Sequence, residues 1–264
     1  MNPSDLDAVN KVIDEASKEP VPRISGSPNC DATLLMGLQD KNGDWHVNAV
    51  VREMTGEDEE HLSHLETRDN LSYADYMTEL LSRTVVSIGP AESWSPTLID
   101  SLVTADRDIL FIATIRATYG DQREFRLKCS QCGGSNDVNV DLVDGFPVLG
   151  TTEQIRSKRE VTLRSGATVT VSHPTGADSR YVAKHAKTTA EQNTTLIARC
   201  CDVSTQVPNK VEWAKKLGIA DRNAIIKVLF GDKFGPQIEE VNAPCGHCDE
   251  NISFTVDWVS LLFG

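Results

Sequence analysis

Cys129-Ser130-Gln131-Cys132 and Cys245-Gly246-His247-Cys248 are the stretches on which the reading of this chain turns. Each sits between two runs that alternate apolar and polar. Phe125 and Leu127 precede the first pair, and Val138, Val140 and Leu142 follow it; Phe254, Val256 and Trp258 take the three following places after the second. A period of two marks strands with one buried face, so each Cys-x-x-Cys is expected at the tip of a hairpin. Gly133, Gly134 and Gly246 ease the tight backbone there.

The same order of landmarks recurs outward from these tips. Ala105-Asp106-Arg107 matches Ala220-Asp221-Arg222, and Tyr119-Gly120 matches Phe234-Gly235. Leu80-Leu81-Ser82-Arg83 matches Leu196-Ile197-Ala198-Arg199, and Thr55-Gly56-Glu57-Asp58 matches Thr175-Gly176-Ala177-Asp178. Spacing this regular signals a repeated supersecondary unit. The expectation is an arm over residues 1–31, a first repeat unit over 32–149 and a second over 150–264.

Each unit reads as a β-hairpin, several helices and a second, cysteine-bearing hairpin. Asn42-Gly43 and Ser165-Gly166 supply the opening turns. Val47, Ala49 and Val51, and then Ala167, Val169 and Val171, alternate after them. Thr55 and Thr175, each followed three residues later by an aspartate, read as capping boxes. Glu57 to Glu60 reads as a solvated first helical turn, where the helix dipole favours acids. Helices are expected over 72–87, 96–103 and 106–118. Ser95-Pro96 supplies a cap and a first-turn proline, Asp106-Arg107 and Asp221-Arg222 a cap with a local ion pair, and Gly120 and Gly235 the left-handed terminations. The fold class is thus α+β with an internal duplication, zinc-ribbon-like at its cysteine hairpins.

Two thiolates spaced by two residues can turn onto one ion, and zinc takes four ligands in a tetrahedron. One tip supplies two. The expectation is therefore a structural Zn²⁺ held by Cys129, Cys132, Cys245 and Cys248, joining the two copies about an approximate two-fold axis. The 112 residues between Cys132 and Cys245 are far more than a compact ribbon needs, and the duplication accounts for them. Free thiols, a disulfide or a redox pair are the alternatives. A redox pair favours a helix N-terminus, where the thiol pKa falls. His247 is expected to point away from the ion. Cys200 and Cys201 read as small core residues, and Cys30 has no counterpart.

The chain has 264 residues, 39% of them apolar, a formal charge of −13 and a pI near 4.9. This balance argues against a broad basic nucleic-acid face. Only Arg126 and Lys128 flank the first tip, and Glu239-Glu240 precede the second, which disfavours the alternative of a zinc-ribbon adaptor in a nucleic-acid-processing complex. No Gly-x-Ser-x-Gly, P-loop, His-Glu-x-x-His or dinucleotide-binding glycine pattern is present; catalytic residues and enzymatic activity are not expected. No stretch approaches the ~20 apolar residues of a membrane span, and no signal peptide is read at the start. Residues 4–18 read as a short amphipathic helix ahead of a Pro-rich linker. The apolar end, Trp258 to Phe263, is expected to pack into the second unit or a neighbour.

The sequence resembles the baseplate proteins of contractile-tailed bacteriophages, the baseplate-hub and hub-assembly group. The resemblance lies in Arg52-Glu53-Met54-Thr55-Gly56-Glu57-Asp58-Glu59-Glu60, in Ile112 to Gly120, in Cys129 to Gly133 with the closing Asp141-Leu142, and in Cys245 to Cys248 with its aromatic-rich end. It covers most of 32–264. It implies a structural or assembly component of the virion tail baseplate, put together in the host cytoplasm and without catalysis. The implied partners are other tail proteins, or further copies of itself, rather than nucleic acid or membrane.

Overall fold

A computed structural model describes residues 29–66, 71–91, 95–203, 207–237, 240–256 and 258–263. The N-terminal helix expected over 4–18 lies outside them. The fold is α+β, with small antiparallel sheets and several helices.

In the first half, β1 (Asn29–Gln39) and β2 (Trp45–Arg52) form the expected hairpin around Asn42-Gly43. Gly43 takes φ of 92°, and the Asp40 carboxylate accepts from the Asn42 and Asp44 N–H groups. Ala49 and Val51 face inward. Then come α1 (Gly56–Glu66), α2 (Tyr73–Thr84) and β3 (Val85–Ile88), which completes the sheet order β1-β2-β3. The helix expected to reach residue 87 stops at Thr84. Val85 and Val86 are β-branched and suit a strand, and β3 pairs with β2. Next are α3 (Pro96–Ser101) and α4 (Thr104–Tyr119). Ser95 caps α3 as expected, and Gly120 ends α4 at φ of 88°. The tip hairpin β4 (Gln122–Lys128) and β5 (Ser135–Asp141) follows.

The second half begins with β6 (Val148–Leu149) and α5 (Thr152–Arg156). Strands β7 (Glu160–Thr162), β8 (Thr168–Val171) and β9 (Cys201–Asp202) form a sheet of order β7-β8-β9. Helices α6 (Gly176–His185) and α7 (Thr189–Cys200) lie between β8 and β9, and α8 (Lys210–Lys216) and α9 (Ile219–Phe230) follow. Strand β10 (Gly235–Pro236) pairs with β6. The second tip hairpin, β11 (Glu240–Pro244) with β12 (Asn251–Thr255), leads into α10 (Trp258–Phe263). Gly235 does have φ of 88°, but α9 has already ended at Gly231, so Gly235 bends the entry to β10 instead of capping the helix.

Equivalent polar networks hold each half. Thr55 and Asp58 exchange bonds, as do Thr175 and Asp178. Arg83 Nε donates to Asp58 and Arg199 Nε to Asp178, both at 2.6 Å. Arg107 reaches Thr78 and the Ala74 carbonyl; Arg222 reaches Thr194 and the Ala190 carbonyl. The aspartates of the two Asp-Arg pairs do not cap helices. Asp106 accepts from the N–H groups of Leu35, Met36 and Gly37, where the β1–β2 register shifts, and Asp221 accepts from Arg164 N–H.

The larger core gathers Leu34, Val51, Leu80, Leu81, Ile99, Leu110, Phe111 and Ile115. It also takes in Val256, Leu261 and Leu262 from the far end of the chain. The apolar C-terminus therefore packs on the first half and not on the second. Tyr119 Oη donates to the Leu262 carbonyl and Arg123 Nε to that of Leu261. A smaller core joins Val161, Val169, Val171, Ile197, Ala214, Ile225 and Leu229. Cys200 and Cys201 belong to it, as expected.

The acidic run at α1 is not uniformly solvated. Asp58 is buried and salt-bridged to both Arg52 and Arg83. Burial alone would raise its pKa, but the bonds from Arg52, Thr55 and Arg83 outweigh burial and hold the carboxyl far below the usual range. A depressed folded pKa stabilises the fold above the unfolded value, near 3.9, and that contribution is lost as pH falls toward the folded value. Asp58→Asn is expected to cost about 2 kcal/mol at neutral pH, less than for a fully buried pair because both arginines keep some water contact. It should also flatten the fall in stability below about pH 4. Urea melts across pH check both.

Candidate metal centre

Each cysteine pair sits on a hairpin whose strand pairing fixes where the thiols point. In the first, Phe125 lies opposite Val138 and Lys128 opposite Ser135. In the second, Val241 lies opposite Phe254 and Pro244 opposite Asn251. The tip turns close alike: Cys129 N–H donates to the Gly134 carbonyl and Cys245 N–H to that of Glu250, both at 2.9 Å. Phe125 and Phe254 meet with ring centroids 5.6 Å apart, which brings the hairpins side by side.

The tips consequently converge. The Cys129 and Cys248 sulfurs lie 3.8 Å apart, and those of Cys132 and Cys245 3.7 Å. All four lie within 4.8 Å of one another. These distances are far beyond a disulfide bond of about 2.05 Å. They match the edge of a tetrahedron of sulfurs around zinc, about 3.8 Å for a Zn–S bond of about 2.3 Å. The close pairs are crossed, each joining the first cysteine of one tip to the last of the other.

N–H donors surround the sulfurs. Gly134 N–H points at Cys132, and His247 N–H and Asn136 Nδ2 point at Cys245. The His247 N–H bond leads in drawing the Cys245 thiol down to about 6. The Glu250 N–H favours the Cys248 thiolate too, but sharing protons with three neighbouring sulfurs pushes that thiol up to about 12. Four sulfurs this close together could hold a metal ion between the tips.

Sequence reasoning named the four cysteines but missed the groups that lock one tip to the other. Asn136 Oδ1 accepts from Gly246 N–H at 2.7 Å, and the His247 ring reaches the Ser135 carbonyl at 2.9 Å. His247 thus turns away from the sulfurs and clasps the opposite hairpin. Only an asparagine just after the Cys-x-x-Cys-Gly-Gly turn hinted at this. The other buried thiols are poor nucleophiles: burial pushes Cys200 up to about 12 and Cys201 up to about 11.

Gly134 lies close to the His247 side chain, where an added Cβ would come within 2.4 Å. Gly134→Ala is expected to push the tips apart. Thermal melting should fall by the equivalent of about 1–3 kcal/mol, the usual cost of overpacking; Gly133→Ala, which meets open space but carries φ of 72°, is the comparison for backbone strain alone.

No curated protein and no solved structure matches the chain. The family model described as T4 bacteriophage base plate protein matches residues 44–256. That span runs from the first hairpin through both cysteine tips to the end of the second tip hairpin. The chain belongs to the T4 bacteriophage base plate protein family.

Proposed function

We propose that this protein is a non-enzymatic structural or assembly component of the hub or wedge-hub region of a phage tail baseplate, built from a duplicated unit and stapled by one zinc ion. Family membership supports the baseplate role. The zinc reading rests on one observation: four sulfurs from hairpins more than a hundred residues apart meet within 4.8 Å. Cys129, Cys132, Cys245 and Cys248 would be the ligands, and the ion would supply rigidity between repeat units spanning 32–149 and 150–264. Other tail proteins are the partners, and assembly takes place in the host cytoplasm.

The duplication is supported by the paired networks. Arg83–Asp58 and Arg199–Asp178, and Arg107–Thr78 and Arg222–Thr194, join equivalent positions. Double-mutant cycles on Arg107 with Thr78 and on Arg222 with Thr194 should return favourable couplings of about 1 kcal/mol in both. Coupling in one pair alone would overturn the equivalence.

Elemental analysis of the purified protein should find one zinc per chain. Cys245→Ser should weaken zinc binding by at least about 100-fold, more than loss of an outer ligand partner costs, and lower the melting temperature. A strong chelator should lower the melting temperature of the parent and leave the variant unchanged. Metal-free protein with an unchanged melt overturns the staple. The baseplate role is tested by quantifying the protein in isolated tails and in tail-assembly intermediates; absence from both overturns it.

A further inference from the structure

The bodies of the two proposed repeats meet through unlike faces. The second repeat docks through its Pro174–Gly176 turn, which pairs along Leu102–Thr104 of the first. Thr104 N–H donates to the Pro174 carbonyl and Gly176 N–H to that of Leu102, both at 3.0 Å. Glycines allow the approach: a Cβ on Gly176 would strike the Arg107 guanidinium, and one on Gly235 would meet Ala105 at 3.1 Å. Arg180 completes the contact with salt bridges to Asp75 and Asp100.

A two-fold packing would repeat these contacts with the repeats exchanged, and it does not. On the second repeat, Leu217, Gly218, Ala220 and Arg222 stand where Leu102, Val103, Ala105 and Arg107 are buried, yet none of the four is buried. Between them Ile219 is 72% exposed. On the first repeat, Gly56 and Gly120 stand where Gly176 and Gly235 are buried, and both are exposed with nothing near a Cβ. Gly120 needs its positive φ. Gly56 has no positive φ that would call for glycine. The chain carries one used interface and both of its unused halves.

We propose that copies of this chain associate head to tail, the Thr55–Gly56 and Gly120 face of one first repeat docking on the Leu217–Ala220 and Arg222 face of another copy's second repeat. The inference rests on the duplication proposed above. The occupant is defined by the interface within the chain: the open face on each side is the counterpart of the surface that covers its equivalent. Charge selects the same pairing. The Arg180–Asp100 bridge maps onto Glu60 and Lys215, both exposed; the signs exchange and the attraction remains, with Lys215 turning from its exposed i,i+3 partner Glu212. The second acceptor of Arg180, Asp75, maps onto Glu191, whose carboxylate is already occupied by the Lys187 and Thr188 N–H groups. Such a contact is heterologous and leaves a free face at each end unless a ring closes.

Sedimentation velocity on the full-length, zinc-loaded protein tests this. The parent should gain mass with concentration. Gly56→Trp blocks one face from open space, and Ile219→Asp blocks the other at a helix start that tolerates an acid. Unchanged melting curves confirm that each folds. Each variant alone should associate at least about tenfold more weakly. Mixed in equal amounts, the two should form dimers and stop, because one compatible pair of faces remains. Glu60→Lys should weaken association, and adding Lys215→Glu should restore it. A parent that stays monomeric to about 300 µM, association indifferent to both blocking variants, or a mixture that forms no dimers overturns the proposal. Failure of the duplication is read separately, in the Arg107 and Arg222 cycles.

Discussion

Two adjacent residues, Asp106 and Arg107, carry the arrangement of the whole chain. They leave the first turn of α4 in different directions. The Asp106 carboxylate binds three successive N–H groups of β1, from Leu35 to Gly37, across the register shift that separates the two stretches of paired strand. Burial pushes its pKa up, and those three donors, with Arg156 nearby, oppose that push. The Arg107 guanidinium, equally buried, binds Asp100 on α3 and Thr78 on α2. Sheet and helices are therefore fixed to one dipeptide. Stripping Asp106 alone would orphan three backbone donors in an apolar setting, the costly kind of loss.

The same dipeptide fixes the second half. Asp100 accepts from Arg107 through one oxygen and from Arg180 through the other, and Gly176 lies against the guanidinium face. A continuous polar path runs from the β1 bulge through α4 and α3 to α6. The Val103–Thr175 bridge runs beside it. The apolar end of the chain then closes over the first half, with Tyr119 and Arg123 holding the Leu261 and Leu262 carbonyls. The first half thus gains core residues from the far end of the chain, and its core is the larger of the two. Where Thr84 and Thr114 share a buried hydroxyl contact, the smaller core has Cys200 and Leu229, apolar at both places.

Local chemistry was legible in the sequence, and chemistry between distant elements was not. The hairpin at Asn42-Gly43, the Ser95 and Thr175 caps and the cysteine tips depend on residues within four or five positions of one another, and the structure has them. The partners of Asp58 and Asp106 lie 25 residues or more away in part or in whole. An acid in a helix's first turn reads as a cap or a solvated charge until its arginine or its strand is known. The same limit misjudged the C-terminus: an apolar end signals burial, but not which core receives it. The convergence of the tips was legible only because the order of landmarks recurs, which turned a long separation into equivalent positions.

The two kinds of contact between the repeats have different consequences for assembly. The tips face each other through crossed sulfur pairs, so the cysteines of each tip are matched by those of the other. In the proposed duplication the bodies meet through unlike faces, and one contact formed would leave one of each face open. A zinc ion at the tips would fix the angle between the bodies and with it the angle between the open faces. In a chain that joins its neighbours head to tail, that angle decides whether successive copies close into a ring or wind into a filament. Rigidity at the cysteine site would therefore do more than stabilise one chain: it would set the geometry that every further copy inherits.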